Sequence, residues 1–280
     1  MNNYLKTNYD LSQKETVSVI DELPLWSAPF GLKLLDKINY RKNISALDIG
    51  SGLGFPLLEV AMRLGNSCKV YGIDPWEASV ERAKTKIRIY GISNVEMITG
   101  VAEKIPLPDR STDLIFSNNG LNNVNDLGMV INECSRISKT GSQLIFTFNT
   151  DKTMIEFYSV LEEVFREKNM LNEIDLMKKH IYKKRKPVEE FQLLLEESGF
   201  SINEILYDEF VYHFVDGTTM LNHFLIKLAF IESWKELIPE EQRYEIFSEV
   251  EKRLNQIALN KGSLILSIPY ILIDCEKTGA

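Results

Sequence analysis

The sequence is poor in the residues that staple or metallate proteins. Cysteine occurs three times in 280 residues, at Cys68, Cys134 and Cys275, scattered and with no CxxC pair. That excludes a disulfide framework and a thiolate metal site. Histidine is equally scarce: His180, His213 and His223 have no ligand-type spacing and no carboxylate-rich cluster beside them, so no metal is expected. Basic residues are outnumbered, 32 Lys plus Arg against 40 Asp plus Glu, for a formal charge of −8. An acidic chain is a poor partner for a phosphate backbone, and nucleic acid is not an expected partner. No apolar run approaches the ~18 residues that span a bilayer. The amino-terminal MNNYLKTNYDLSQKET has no apolar core of signal-peptide length. The expectation is a cytoplasmic protein with no membrane contact. Internal repeats and low-complexity tracts are absent as well.

What is present is globular. Apolar residues make up 44 % and charged residues 26 %, and the length suits one large domain or two small ones. Strand-like apolar runs alternate with helical patterns through the first two-thirds. Strands are expected over 44–49, 69–73, 95–99, 112–117 and 143–148. Between them, helices are expected from Pro56 to Gly65, from Trp76 to Gly91, where Val80, Ala83, Ile87 and Tyr90 keep helical spacing, and over about 126–138. Such alternation implies right-handed crossovers and a parallel sheet covered on both faces. Further on, Met154, Phe157, Leu161 and Phe165 mark a helix, 188–197 another, and 200–212 a long strand. Residues 218–259 read as helical and 263–273 as a final strand. The fold class expected is α/β, a Rossmann-like three-layer sandwich with a helical cap inserted between the last two strands.

The most informative string is Leu47-Asp48-Ile49-Gly50-Ser51-Gly52-Leu53-Gly54-Phe55-Pro56, which leaves a strand and enters a helix. Alternate glycines let backbone approach a ligand and aim free N–H groups at it. The dinucleotide fingerprint GxGxxG would need a small residue at position 55, and Phe55 weakens that reading. With Asp48 in front, the string is DxGxGxG.

Here the chain resembles the class I S-adenosylmethionine-dependent methyltransferases, in particular small-molecule enzymes similar to the quinone-biosynthesis methyltransferases. The resemblance implies that Gly50, Ser51, Gly52 and Gly54 lie under the amino-acid part of S-adenosyl-L-methionine, which leaves as S-adenosyl-L-homocysteine. It implies that Asp74, closing Val70-Tyr71-Gly72-Ile73-Asp74, accepts from the ribose hydroxyls, with Pro75 and Trp76 as a wall for the adenine. Ala102 and Glu103, after the third strand, match the family's adenine-edge segment. Asp113 to Asn118 matches its fourth strand, and Arg136 to Gly141 the stretch before its fifth. The family's sheet has seven strands with the last reversed. One methyltransferase domain is therefore expected over 1–280: a helical cover at 1–43, a cofactor-binding core at 44–215, the cap at 216–262 and a returning strand at 263–275.

Methyl transfer from a sulfonium needs alignment above all, and a base only when the nucleophile arrives protonated with a high pKa. The acceptor is narrowed by what is missing. Members that methylate exocyclic or glutamine amide nitrogens have an Asn/Asp-Pro-Pro-aromatic string after strand four, where this chain has Ser117-Asn118-Asn119-Gly120-Leu121-Asn122-Asn123. Cytosine C5 methylation needs a nucleophilic cysteine, and Cys134 falls in a helix. A small-molecule acceptor with an O, N or C nucleophile is expected. Asn118 and Asn119 are candidates for the cofactor and Asn122 for orienting the acceptor. Trp26 and Phe30, in the apolar segment 23–30, and His223, in the insertion, are candidates for covering the acceptor. His223 is also the one candidate base, although a histidine on an apolar helix is more often a core residue. The basic run Lys178 to Lys186 reads as a solvated loop or as a site for RNA or an anionic acceptor. Two alternatives stand beside the enzyme: an inert S-adenosylmethionine-binding protein and, third, an NAD(P)-dependent oxidoreductase. Oligomeric state is left open.

Overall fold

The computed structural model describes residues 3–22 and 25–279. Leu23 and Pro24, which open the apolar segment 23–30, lie outside the described residues, as do Met1, Asn2 and Ala280. The chain runs α1 (Lys14–Glu22), α2 (Ser27–Lys37), β1 (Ser45–Ile49), α3 (Leu57–Leu64), β2 (Lys69–Asp74), α4 (Glu77–Tyr90), β3 (Val95–Thr99), β4 (Thr112–Asn118), α5 (Leu127–Ile137) and β5 (Ser138–Asn149). It continues with α6 (Ile155–Glu167), α7 (Leu171–Lys184), α8 (Val188–Glu197), β6 (Phe200–Phe214), α9 (Gly217–Asn222), α10 (Phe224–Ala229), α11 (Ile231–Lys235), α12 (Arg243–Lys261) and β7 (Leu264–Lys277).

The strands form one sheet in the order β3-β2-β1-β4-β5-β7-β6. β1 pairs in parallel with β2 and β4, as do β2 with β3 and β4 with β5, while β7 runs antiparallel to β5. This is the seven-stranded mixed sheet with a reversed last strand that the resemblance implied. Central strands are rich in apolar residues on both faces because both faces are covered. In β4, Leu114 and Phe116 join Leu34, Leu57 and Val60 on one face, while Ile115 joins Val130, Ile131 and Phe146 on the other. Helices stop where glycine supplies a left-handed residue: Gly91, with φ 67°, returns its N–H to the last turn of α4. α5 begins at Asp126, whose carboxylate accepts from the Met129 amide at 2.9 Å.

The chain divides into two compact units. The sheet unit comprises Leu11–Asn149, Lys186–Asp208 and Tyr270–Ala280. Its outer layer includes α8, whose Phe191 ring stacks on Phe148 of β5 at 4.1 Å. The helical unit comprises Met1–Asp10, Thr150–Arg185 and Glu209–Pro269, so it gathers α6 and α7 with the helices of the insertion. Its core centres on Trp234, fully buried, stacked on Phe157 at 3.7 Å and donating through Nε1 to the Tyr158 hydroxyl at 3.0 Å. α12 passes so close to α9 that a Cβ on Gly217 would lie 2.5 Å from Cβ of Leu254.

Two local expectations are corrected. The basic run is no loop: α7 carries it as far as Lys184, anchored by the buried Ile174 and Met177, whose spacing the surrounding lysines mask. β5 begins at Ser138 rather than Gln143, because polar Lys139, Thr140 and Gly141 continue the strand across a register irregularity opposite Thr112 and Leu114. Among the described residues no helix is long and apolar enough to cross a membrane.

Asn94 ties α3 to β3, donating from Nδ2 to the carbonyls of Ala61 (3.0 Å) and Gly65 (2.9 Å). These satisfy carbonyls at the end of α3 that no helical N–H fully covers. Asn94→Ala is expected to cost about 1–3 kcal/mol, read from urea unfolding; an unchanged midpoint would deny the tie.

Candidate functional site

The strand order reverses between β1 and β4, the place where open α/β sheets leave a crevice at the carboxyl ends of their strands. The loop after β1 enters this crevice. Its Gly50 and Ser51 amides both donate to the Ile73 carbonyl, at 2.9 and 3.2 Å, which fastens the loop to the end of β2. Gly50, Gly52 and Gly54 all have positive φ, 72°, 48° and 100°. Their surroundings separate their tasks. A Cβ on Gly50 would stand 3.0 Å from Cα of Gly120, so this glycine lets two loops touch. A Cβ on Gly54 would press on Leu58 at 3.1 Å, a packing role. Around Gly52 the nearest such atom is 4.0 Å away, so its backbone faces open space. Phe55 fills the place of the third dinucleotide glycine: its ring lies 2.3 Å from where a Cβ on Gly31 would be, locked against α2.

Asp74 ends β2 and is buried. One carboxylate oxygen accepts from the Gly52 amide at 2.8 Å; the other accepts from the Trp76 amide at 2.8 Å and the Ser79 hydroxyl at 3.5 Å. A carboxylate has about four acceptor positions, so Asp74 has capacity left. Beneath the loop, Asp48 is wholly buried and neither oxygen has a hydrogen-bond partner. Burial first and the charge of Asp74 second push its pKa well above the usual carboxylate range, with the Leu57 amide opposing. The hydroxyl of Ser51, also buried, is unpartnered.

A cavity of about 220 Å³ opens here, lined by Gly50, Asp74, Pro75, Ala102, Glu103 and Gly120, together with Ile49, Ile73, Gly100, Val101 and Asn123 to Asn125. Glu103 also holds the far loop in place, accepting from the Asn125 and Asp126 amides at 2.7 and 3.2 Å. Trp76 is directed elsewhere. Its indole donates to the Leu11 carbonyl at 3.0 Å and lines a separate 740 Å³ cavity between α1 and α4.

The asparagines after β4 form a second polar group. Asn118 donates to the Ser27 carbonyl at 2.9 Å and accepts from Thr147 at 3.3 Å. Asn119, at φ 60°, accepts from Asn122 at 2.7 Å, and Asn122 also donates to Asn149 at 3.1 Å. Oδ1 of Asn122 and Nδ2 of Asn149 are buried without partners. Asn149, 3 % exposed at the end of β5, and Gly120 are two residues that sequence reasoning did not single out. The signal available for Asn149 was a polar residue closing an otherwise apolar run.

Trp26 packs edge-on to Phe30 at 5.6 Å, and Phe30, fully buried, packs edge-on to Tyr270 at 4.9 Å. His223 belongs to the helical unit, at the junction of α9 and α10. Its ring meets Phe214 edge-on at 5.4 Å, Nδ1 is buried and unpartnered, and burial followed by Lys227 lowers its pKa. Cys134 is fully buried, and burial pushes its thiol up to about 12, so it supplies no thiolate at neutral pH. Among the described residues no group of three or more His, Cys, Asp or Glu side chains could hold a metal ion.

With this geometry in place, comparison with known proteins is informative. A family model described as a methyltransferase domain matches residues 40–251. The demethylmenaquinone methyltransferase of Geobacillus stearothermophilus is 30 % identical over 133 residues, 48 % of this chain and 57 % of that protein. The enzyme of the same name from Bacillus mycoides KBAB4 is 33 % identical over 112 residues, 40 % and 47 % of the two chains. The chain thus spans about half the length of the curated relatives it matches. Among solved structures, the YcgJ protein of Bacillus subtilis superposes with a TM-score of 0.56 at 17 % identity, covering 90 % of this chain and 99 % of its own. Geranyl diphosphate C-methyltransferase of Streptomyces coelicolor A3(2), in complex with Mg2+, geranyl diphosphate and S-adenosyl-L-homocysteine, gives 0.57 at 15 % identity over 98 % and 89 % of the chains. Both show the same fold.

Asp48 makes the site pH-sensitive in a definite direction. Held neutral in the folded protein to a higher pH than in the unfolded chain, it subtracts stability as pH rises above the unfolded value. Asp48→Asn is therefore expected to gain stability over the parent as pH goes from about 4 to 7, measured by urea midpoints; a constant difference across that range would show Asp48 ionised when folded.

Proposed function

From the premise that the chain belongs to the methyltransferase domain family, matched over residues 40–251, we propose that it is an S-adenosylmethionine-dependent methyltransferase acting on a small molecule. The observation that carries this reading is the pairing of Gly52, backbone open on one side, with Asp74, a buried carboxylate with acceptor capacity to spare. When bound, S-adenosylmethionine supplies a methyl group on a sulfonium, an electrophile whose leaving group is neutral.

The residues fit such a ligand. Asp74 has an acceptor position left for a ligand hydroxyl, and the Gly52 and Trp76 amides hold the carboxylate in one orientation. Gly50, Gly100 and Gly120 let backbone line the cavity closely, while Pro75, Val101 and Ala102 give it apolar surface suited to a flat base. Asp48 and Ser51 present polar groups beneath the loop that the chain leaves without partners, and a cationic ligand group there would favour the charged form of Asp48. Phe55, locked against α2, speaks against a dinucleotide in the same loop.

For the acceptor, Asn122 and Asn149 offer an amide oxygen and an amide nitrogen that lack partners, suited to orienting a polar molecule at the ends of β4 and β5. Trp26 and His223 remain the candidate acceptor contacts. Phe30 acts through Trp26, since it is fully buried behind that ring. Catalysis rests on alignment, with His223 as the candidate base. Three free and buried cysteines suit a reducing, cytoplasmic setting.

Calorimetry with S-adenosylhomocysteine is the direct test. Binding is expected in the parent, at least ten-fold weaker in Asp74→Ala. In Gly52→Val it is expected to be abolished, at a stability cost of about 1–3 kcal/mol for placing a branched residue at positive φ. Absence of binding to the parent by either S-adenosylmethionine or S-adenosylhomocysteine would refute the assignment. Methyl transfer to any metabolite in a screen with labelled donor would exclude an inert binding protein.

A further inference from the structure

The basic run at the end of α7 contains one residue that behaves unlike its neighbours. Lys178, Lys179, Lys183 and Lys184 are exposed, whereas Arg185 is only 8 % exposed. Its hydrogen bond and its ring contact both lie in the helical unit. Nη1 donates to the Thr153 carbonyl at 3.2 Å, and the guanidinium lies over the Tyr158 ring, 5.4 Å from its centre. That ring is fixed in turn by the Trp234 indole, which donates to its hydroxyl and stacks on Phe157. A planar cation is thus mounted on a rigid aromatic wall.

No ion pair among the described residues involves Arg185. A buried charge normally has a partner, because desolvation without one costs several kcal/mol (roughly) and a guanidinium cannot shed its proton. Of its five N–H groups, the Thr153 carbonyl takes one. Nε and Nη2 have no partner among the described residues, and neither is wholly sealed from solvent. A role in capping α7 would explain a positive charge at this position but not its burial. The surroundings are cationic as well. Half-buried His180 has its pKa lowered by burial and then by Arg185, Lys184 and Lys183, with Glu236 opposing.

We propose that Arg185 binds an oxyanion group, carboxylate or phosphate, of a small-molecule ligand. Calorimetry with phenyl phosphate, benzoate and neutral phenol separates the chemistries. At least one of the two anions is expected to bind ten-fold or more tightly than phenol, and which one identifies the group. Arg185→Gln is expected to weaken that anion at least ten-fold and leave S-adenosylhomocysteine affinity within two-fold, with Arg185→Lys intermediate. In the unmodified protein, the His180 imidazole, followed by NMR, is expected to titrate at higher pH with the anion bound. Equal affinity for all three probes, an unaltered anion affinity in Arg185→Gln, or a His180 titration unmoved by either anion would overturn the proposal. Failure of the parent to bind S-adenosylhomocysteine would instead refute the methyltransferase reading and leave the anion result standing.

Discussion

One carboxylate holds the site together. Asp74 accepts from an amide of the loop after β1 and from an amide at the start of α4, so a single side chain sets the distance between two loops that different strands deliver. The parallel register makes this possible, since Ile49 sits opposite Ile73 and Asp74 opposite Thr99, bringing three strand ends level. The glycine loop could not hold its shape alone. Three glycines at positive φ have the largest conformational entropy to lose, and short polar contacts with Asp74 and the Ile73 carbonyl offset that loss. The approach of Gly50 to Gly120 then brings the loop after β4 against the same cradle.

The polar groups left over are the second constraint on the cradle. Nearly all buried polar atoms in folded proteins have partners, and exceptions call for an explanation. In this sheet unit Asp48, Ser51, Asn122 and Asn149 are exceptions at the carboxyl ends of the strands or in the loops just beyond them, while Thr112, Ser138 and Ser142 are exceptions in the first halves of β4 and β5. Each weakens the fold by lacking a partner. None of the first four lines the cavity itself, but Asp48, Ser51 and Asn122 are chain neighbours of Ile49, Gly50 and Asn123, which do. Asp48 is the sharpest instance, because burial and the charge of Asp74 push its pKa well above the usual carboxylate range.

Much of this was legible in the sequence because the central strands are covered on both faces and read as short, mostly apolar runs. Gly65, Gly91 and Gly199 marked helix ends by a local requirement for positive φ. The glycine loop and Asp74 were readable for the same reason: their chemistry is set within a few residues. What escaped depended on contacts between distant segments. α7 hid behind its lysines because only Ile174 and Met177 face inward. The assembly of the helical unit from three stretches has no local signature. Trp76 follows Pro75 along the chain, but its indole is taken by the Leu11 carbonyl, which no spacing rule could announce. Asn149 acquires meaning only beside Asn122, 27 residues earlier.

Asp48 and Arg185 pose one electrostatic problem with two different answers. Both are buried, and neither has an oppositely charged side chain among the described residues. A carboxyl can escape the desolvation penalty by taking up a proton, so Asp48 needs no counter-charge to remain folded, and its state follows pH. A guanidinium has no such escape, since it stays protonated at any pH a protein tolerates. The penalty at Arg185 is reduced instead by the Thr153 carbonyl, the face of Tyr158 and whatever reaches Nε and Nη2. The two groups would therefore respond oppositely to a ligand of opposite charge. A cation beside Asp48 would change the protonation of the protein, whereas an anion at Arg185 would change only its solvation, leaving His180 to register the added charge.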